Sequence, residues 1–302
     1  MGSGISQSEL LKRIEAAYAL MEECKLCPRE CGVNRLRNDK LGFCRSGIDA
    51  VVSSCAPHHG EEPPLSGTKG SGTIFFANCN LRCVYCQNYP ISQLGHGVKR
   101  TPGELACQML WLQEQGCHNL NLVTPTHFVP QILKALAVAR ERGFRLPVVY
   151  NSSGYESVKT LRLLEGVVDI YLPDMRYSDN DAANRFSLVQ GYLEVNRAAV
   201  QEMYRQVGNL VMDGDGIAKR GLVVRHLVLP NRISGTEEVM RFLSEEISKD
   251  VYVSLMNQYF PTYRAAEFKE LSRRITPKEY EEAYLSMQSH GLGNGWLQEY
   301  DN

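Results

Sequence analysis

Ten cysteines stand out in this 302-residue sequence because all of them lie within its first 117 residues. Three of them, Cys79, Cys83 and Cys86, have the spacing C-x3-C-x2-C. Three thiolates on one short loop can bind three irons of a cubane [4Fe–4S] cluster, which leaves the fourth iron open to a ligand. A zinc site would need a fourth protein ligand, for which His96 is the nearby candidate. The loop is too polar for packing cysteines, since it also contains Asn80, Arg82, Gln87 and Asn88.

A second group of cysteines precedes the first and consists of Cys24, Cys27, Cys31 and Cys44. Four thiolates in a segment with few apolar residues fit a zinc site or a fully ligated auxiliary iron–sulfur cluster, and the number of sulfurs does not separate the two. We favour a structural metal over an electron relay, because a relay needs a short distance to the first group that the sequence does not specify. The remaining cysteines are interpreted as small hydrophobes: Cys55, Cys107 and Cys117.

Composition and charge exclude several classes of protein. Lys and Arg total 33 against 34 for Asp and Glu, so we expect neither a nucleic-acid partner nor binding to an anionic membrane. No apolar run reaches the roughly 18 residues of a membrane span, and the first residues lack the regions of a secretory signal. We therefore expect a cytoplasmic protein, in which clustered cysteines more often bind metals than form disulfides.

The hydrophobic pattern divides the chain into an N-terminal helix and Cys-rich module, residues 1–60, and a repeating body, residues 61–302. The predicted strands are Gly72–Ala77, Asn119–Val123, Pro147–Tyr150, Val167–Leu172, Leu222–Leu229 and Val251–Met256. The predicted helices are Pro102–Glu114, Phe128–Arg142, Ser157–Leu164, Ala182–Val207 and Thr236–Ile247. This alternation predicts an α/β fold, a partial (β/α)6 barrel with a small metal-binding module before it. Functional side chains are expected where strands lead into helices.

The loop Cys79-x3-Cys83-x-Tyr85-Cys86 resembles the signature of the radical S-adenosylmethionine (SAM) superfamily. The resemblance implies a radical SAM barrel in which SAM chelates the open iron. An electron from an external donor of the flavodoxin or ferredoxin type would cleave SAM to a 5′-deoxyadenosyl radical, which abstracts hydrogen from a substrate. Tyr85 would lie near the adenine. The continuation Cys86-Gln87-Asn88 is similar to the Cys-His-Asn of activating enzymes for glycyl radical enzymes, which makes Asn88 a candidate for cofactor binding.

Longer segments extend the resemblance over nearly the whole chain. CKLCPRECGVNR, HHGEEPPLSGTKGSGTIFF, VTPTHF, VVYNSSGYE, DIYLPD and VRHLVLPN resemble the PflX branch related to those activating enzymes. This implies a substrate glycine in a partner glycyl radical enzyme. A small-molecule substrate, as in a sugar epimerase or isomerase, is the alternative. A non-catalytic metal-binding or electron-transfer protein is the alternative from another class.

Polar residues at the ends of strands two and three are candidates for binding SAM. Relatives usually end strand two with Gly-Gly-Glu, where this chain has Thr124, Pro125, Thr126 and His127. The threonines offer hydroxyls or carbonyls, and His127 is either a substrate-facing acid or base or a structural histidine. After strand three, Asn151 and Ser153 either hydrogen-bond a ribose or carboxylate or cap the next helix.

Charged residues near the ends of strands four and five are the remaining candidates. Asp174 and Arg176 share one strand face and are similar to the Asp-x-Lys of the activating enzymes, where both residues face cofactor or substrate. Arg225 interrupts an apolar strand, so it should reach an anion such as the SAM carboxylate. His226 points to the opposite face and is predicted to be structural. Before strand one, a polar group either lines the site or forms a turn: His58, His59, Glu61 and Glu62.

Overall fold

The computed structural model describes residues 5–37 and 41–299. The part of the predicted N-terminal module at positions 1–4 and 38–40 lies outside them. The strands are β1 Ala50–His58, β2 Ser71–Phe76, β3 Val98–Arg100, β4 Leu120–Val123, β5 Val148–Ser152, β6 Ile170–Pro173, β7 Val211–Met212, β8 Ala218–Leu227, β9 Tyr252–Met256 and β10 Gly295–Leu297. The helices are α1 Gln7–Ala19, α2 Pro63–Ser66, α3 Tyr89–Ser92, α4 Pro102–Glu114, α5 Val129–Glu141, α6 Val158–Leu163, α7 Asn180–Ser187, α8 Tyr192–Val207, α9 Thr236–Phe242 and α10 Pro277–Ser289.

The fold is α/β with a mostly parallel sheet. The sheet order is β10-β9-β8-β6-β5-β4-β2-β1-β3, with β7 paired to β8. The run from β2 to β9 is parallel throughout, and β10 continues it beside β9. These strands pair in chain order, as expected when each is connected to the next by a helical crossover. The six strands predicted from the sequence are confirmed, with shifted ends.

Alternate side chains of the parallel strands face opposite sides of the sheet. One side packs on the helices and forms the main core, to which Tyr150, Tyr171 and Val224 belong. The other side, called here the inner face, begins at the strands' amino ends with a small apolar cluster that includes Leu65 of α2 and Val149. Polar residues follow further along the same strands, so the inner face carries the candidate site.

The predicted helix Ala182–Val207 is wrong as one element, because α7 and α8 are separate helices. Leu188 and Gly191 between them have positive φ values of 52° and 60°, a left-handed backbone that ends a helix. The predicted helix Thr236–Ile247 continues past α9 as one π-helical turn.

Strand β1 was not predicted and pairs antiparallel with β2. It lies within the predicted module 1–60, where Val51 and Val52 were the available β-strand signal. Helix α1 packs on α5 and α6, so the N-terminal segment contacts the helical layer that covers the main core. Within the described ranges, no helix is long and apolar enough to cross a membrane.

Candidate functional site

The cysteine loop begins directly after β2, where Asn78 has a left-handed backbone with φ 69°. Cys79, Cys83 and Cys86 are near neighbours. Burial, followed by the adjacent Cys83 thiol, raises the pKa of Cys79 to about 12. Burial also raises the pKa of Cys83, while the Arg176 guanidinium opposes that rise. Buried thiols of this kind stay protonated unless positive charge, such as that of bound metal, compensates the thiolates.

The surroundings of the loop fit an iron–sulfur cluster. The Leu81 backbone N–H donates to Cys79 Sγ over 3.3 Å, and the Ser187 hydroxyl donates to Cys83 Sγ over 2.9 Å. Hydrogen bonds of this type stabilise sulfur ligands of a cluster. Within residues 5–37 and 41–299, no three His, Cys, Asp or Glu side chains gather around one ion-sized position.

Several residues predicted for the site line one cleft beside the loop, together with Cys86: Tyr85, Asn88, Asp174, Arg176 and Arg225. The Gln87 side-chain amide donates to the Gln258 carbonyl over 2.7 Å. This contact joins the cysteine loop to the segment after β9 and closes one side of the cleft.

A buried charge network crosses the floor of the cleft. Asp174 Oδ1 accepts from Arg225 Nε over 2.8 Å, and Asp174 Oδ2 accepts from Arg176. Arg225 Nη2 also donates to Asn151 Oδ1 over 2.8 Å. Within the chain, the carboxylate that hydrogen-bonds to Arg225 is therefore that of Asp174. Two guanidiniums held on one carboxylate retain unused N–H donors, which suits recognition of a ligand carboxylate or hydroxyl.

The turn after β4 is held by a buried carboxyl that the sequence reasoning missed. Thr124 has a φ of 59°, a strained conformation for a residue other than glycine. The Thr126 hydroxyl donates to Glu156 Oε1 over 2.5 Å, and the Tyr150 hydroxyl donates to Glu156 Oε2 over 3.1 Å. Burial raises the pKa of Glu156 to about 7. The sequence signal for this group was the single acidic residue in the short segment between β5 and α6.

The candidate His127 and the predicted structural His226 are both buried and hydrogen-bonded. His127 Nε2 lies 2.9 Å from the Ala77 carbonyl, to which it donates, and burial lowers the pKa of His127 to about 3. His226 contacts the Met175 carbonyl and the Thr236 hydroxyl, and burial lowers its pKa to about 4. Neither residue lines the cleft described above. Both histidines instead pack in the protein interior around the site.

Tyr85 and Ser153 are buried in different surroundings. The Tyr85 hydroxyl donates to the Tyr177 hydroxyl over 2.6 Å, and its ring packs edge-on against Tyr259 with centroids 5.8 Å apart. Tyr85 thus presents a fixed aromatic ring at the cleft. The Ser153 hydroxyl has no hydrogen-bond partner among the described residues, although Ser153 is only 7% exposed.

The second cysteine group lies beside the first. Cys24, Cys27 and Cys44 are buried and Cys31 is partly exposed. Burial raises the pKa of Cys27, and the other three thiols add to that rise, so all four are neighbours. Their chemistry fits a thiolate-bound metal, although the described side chains do not close around one ion.

One arginine connects the two cysteine groups. Arg29 Nε donates to the Asn80 carbonyl over 3.0 Å, next to Cys79 in the chain. The pKa of Arg29 is lowered by burial, and the fields of Cys27, Cys31 and Cys79 all act on it in the opposite direction. Its guanidinium also lies 3.6 Å from the centroid of the Phe43 ring. The N-terminal cysteines therefore lie close to the loop after β2.

The polar group before β2 divides between surface and interior. His58 and His59 are exposed, whereas the Glu61 side chain is 7% exposed and Glu62 is 3% exposed. Glu61 Oε2 lies 3.9 Å from Arg225 Nη1, which places this carboxylate against the charge network.

A cysteine loop follows the first parallel strand of an α/β sheet, and charged residues stand at the ends of the following strands, which is the arrangement expected of a protein that binds a metal cofactor in a cleft at the strand ends. The family model of the Radical SAM superfamily matches residues 73–214. The chain belongs to the radical SAM superfamily. Membership of this superfamily confirms the general iron–sulfur and SAM chemistry expected from the sequence.

The chain is also similar to two relatives and, in its fold, to a solved structure. The chain is 33% identical over 290 residues to the uncharacterised protein MJ0674 of Methanocaldococcus jannaschii, covering 93% of this chain and 78% of that protein. It is 22% identical over 267 residues to the uncharacterised protein MJ0808 of the same organism, covering 81% and 72%. The fold resembles the FeFe-hydrogenase maturase HydG from Carboxydothermus hydrogenoformans at a TM-score of 0.53 and 11% identity, over 74% of this chain and 52% of that one.

Proposed function

We propose that the protein reductively cleaves SAM at a [4Fe–4S] cluster held by Cys79, Cys83 and Cys86, and uses the resulting radical to abstract hydrogen from a substrate. The observation that carries this proposal is the convergence of the cysteine loop with Tyr85 and Asp174 on one cleft. When bound, the cluster supplies the electron for SAM cleavage. Radical SAM enzymes need an external electron donor, and we propose one of the flavodoxin or ferredoxin type.

The residues of the cleft would bind and orient SAM. Arg176 and Arg225 are fixed by Asp174, so their remaining N–H groups meet a carboxylate with little loss of side-chain freedom. We propose that Asn88, Thr124, Asn151 and Ser153 contact the polar parts of SAM and that Tyr85 contacts the adenine. Thr126 and His127 would act through the packing of the turn after β4, since each hydrogen-bonds within the chain.

Two substrate classes were expected, and the buried charges support the small molecule. A protein glycine carries no charged side chain, whereas the inner face also holds two buried carboxyl groups that are not assigned to SAM, Glu61 and Glu62. Buried charges are costly unless a partner compensates them. We therefore propose a small polar substrate. The PflX-like relationship and the glycyl radical partner rest on the sequence resemblance alone.

We further propose that residues 1–60 form a metal-binding module packed on a partial barrel of residues 61–302. Cys24, Cys27, Cys31 and Cys44 would hold either zinc or an auxiliary iron–sulfur cluster, in a reducing cytoplasm that keeps thiols free. Metal analysis of the Cys27→Ala variant distinguishes these alternatives: zinc content falls by one equivalent in the first case, and iron and sulfide fall in the second.

The test of the proposed function is the yield of 5′-deoxyadenosine from SAM. Protein reconstituted with iron and sulfide and reduced with dithionite should form it, and Cys83→Ala should abolish it. The matched control is Cys107→Ala, because Cys107 is exposed and should leave the yield unchanged. Absence of product from wild-type protein with an intact cluster would instead support a non-catalytic metal-binding or electron-transfer protein.

A further inference from the structure

We infer that Glu61 and Glu62, together with Asn121, form a subsite on the inner face of the sheet that binds a cationic, hydrogen-bond-donating group of the substrate, such as a primary ammonium. This rests on the proposed function and names its substrate class. The two glutamates come from the connection between β1 and β2 and are not part of the cysteine loop.

The positions of these residues follow from the strand register. Asn121 pairs with Val149 in the sheet, and Val149 belongs to the inner-face apolar cluster with Leu65. Parallel partners in register share a face, so Asn121 is on the inner face. Leu65 belongs to α2, which begins directly after Glu62, so both glutamates lie in the segment that leads into this helix.

The inner face carries an excess of acidic groups. The charged groups that act on Arg225 are Asp174, Glu62, Glu61 and Arg176. Ionised, these five groups comprise three carboxylates and two guanidiniums, which is a net charge of −1. Asp174 is already bound by both arginines, and Glu61 reaches Arg225 only at 3.9 Å. A bound cation would therefore neutralise the net negative charge of these five groups.

Unpartnered polar atoms point independently to a ligand. Within the described part of the chain, Asn121 Oδ1, Glu62 Oε2 and the Ser254 hydroxyl make no hydrogen bond. Asn121 and Ser254 are 0% exposed, and Glu62 is 3% exposed. The Asn121 amide is close enough to Glu61 to lower the pKa of that carboxyl, which burial raises to about 7. Ser254 pairs in register with Arg225 and thus lies on the same face of the sheet.

The chemistry of these atoms selects the ligand group. Glu62 Oε2 and Asn121 Oδ1 are hydrogen-bond acceptors. A buried acceptor without a partner destabilises the folded protein, because it has lost its hydrogen bonds to water and gained none in return. An ammonium group offers three donors and a positive charge in one small volume. It would satisfy both acceptors and compensate the second glutamate, whereas a neutral hydroxyl would leave the charge uncompensated.

The experiment measures binding by calorimetry to iron-reconstituted full-length protein, under anaerobic conditions and with saturating SAM. The probes are matched pairs that differ in the amine: putrescine and 1,4-butanediol, L-lysine and L-norleucine, D-glucosamine and D-glucose. We expect an amine to bind at least tenfold more tightly than its uncharged partner in one or more pairs. Equal binding within every pair, or no binding of any probe, overturns the inference.

Variants assign the preference to the subsite. Glu62→Gln and, as a second variant, Glu61→Gln should abolish the preference for the amine. Glu114→Gln on the exposed surface of α4 is the matched control and should retain it. Thermal unfolding shows that each variant is folded, and Glu62→Gln should melt no lower than the wild type because an unpartnered charge is removed. An unchanged preference in both glutamate variants contradicts the assignment.

Two outcomes separate this inference from the proposed function. If the amine binds in a titration without SAM and added SAM displaces it competitively, the carboxylates serve SAM and the substrate subsite is wrong. If an amine binds with the expected preference but the reduced protein forms no 5′-deoxyadenosine, the proposed function fails and the subsite stands.

Discussion

The buried carboxyl of Glu156 makes the stability of the protein depend on pH in a defined direction. Its pKa rises from 4.5 to about 7 on folding. Between these values the folded state holds a proton that the unfolded state has lost, so stability falls as pH increases. The difference of about 2.5 between the two pKa values corresponds to a loss of about 2.5 kcal/mol in the free energy of unfolding between roughly pH 5 and 8.

Replacement by glutamine removes this loss. Glu156→Gln keeps an oxygen that can accept from Thr126 or Tyr150 and cannot ionise. The free energy of unfolding of the variant, relative to wild type, should therefore increase by about 2.5 kcal/mol on going from roughly pH 5 to 8.

Urea unfolding of both proteins at a series of pH values, with reductant present, measures this difference. Glu114→Gln is the control and should follow the wild-type pH dependence, since Glu114 is exposed. If the difference between Glu156→Gln and wild type is independent of pH, the carboxyl is ionised at the lower end of the range and the reasoning from burial is wrong.

Two further substitutions test the packing of the site. Gly154→Ala should lower the free energy of unfolding by about 2–4 kcal/mol, because its φ is +70° and an added Cβ would lie 2.2 Å from Asn196 Nδ2 and 2.4 Å from the Asp174 carbonyl. Gly143→Ala, with φ +90° and nothing within 4 Å of the added atom, should cost only about 1–2 kcal/mol in urea unfolding; equal losses would contradict the steric argument. Asp174→Asn should lower the free energy of unfolding by about 3–5 kcal/mol, because it leaves the guanidiniums of Arg176 and Arg225 without their carboxylate. A loss under about 1 kcal/mol in the same assay would show that solvent already screens these ion pairs.

Sequence patterns predicted those parts of the fold that depend on local order. The six parallel strands follow from apolar runs such as Leu120–Val123 bounded by helical segments. The cysteine loop was recognisable because its three ligands lie within eight positions, Cys79 to Cys86. The cleft residues Asp174 and Arg225 were recognisable because charges seldom interrupt buried strands.

The remaining features depend on contacts between distant segments. The sequence marked Glu61 as polar but did not specify whether it faced solvent or Arg225, since that depends on where the connection before β2 packs. The partnership of Glu156 with Thr126 joins two different loops after neighbouring strands. The break between α7 and α8 had a local signal in Gly191, yet Leu188 adopts its left-handed backbone without a sequence preference for it.

The most direct measurement is the electron paramagnetic resonance spectrum of dithionite-reduced, iron-reconstituted protein recorded with and without SAM. Using the Cys24→Ala/Cys27→Ala double variant restricts the signal to the loop after β2. We predict the signal of a reduced [4Fe–4S] cluster that changes when SAM is added and is lost on further substitution of Cys83 by alanine. A signal that is insensitive to SAM, or one that persists without Cys83, would contradict a SAM-binding cluster at this loop.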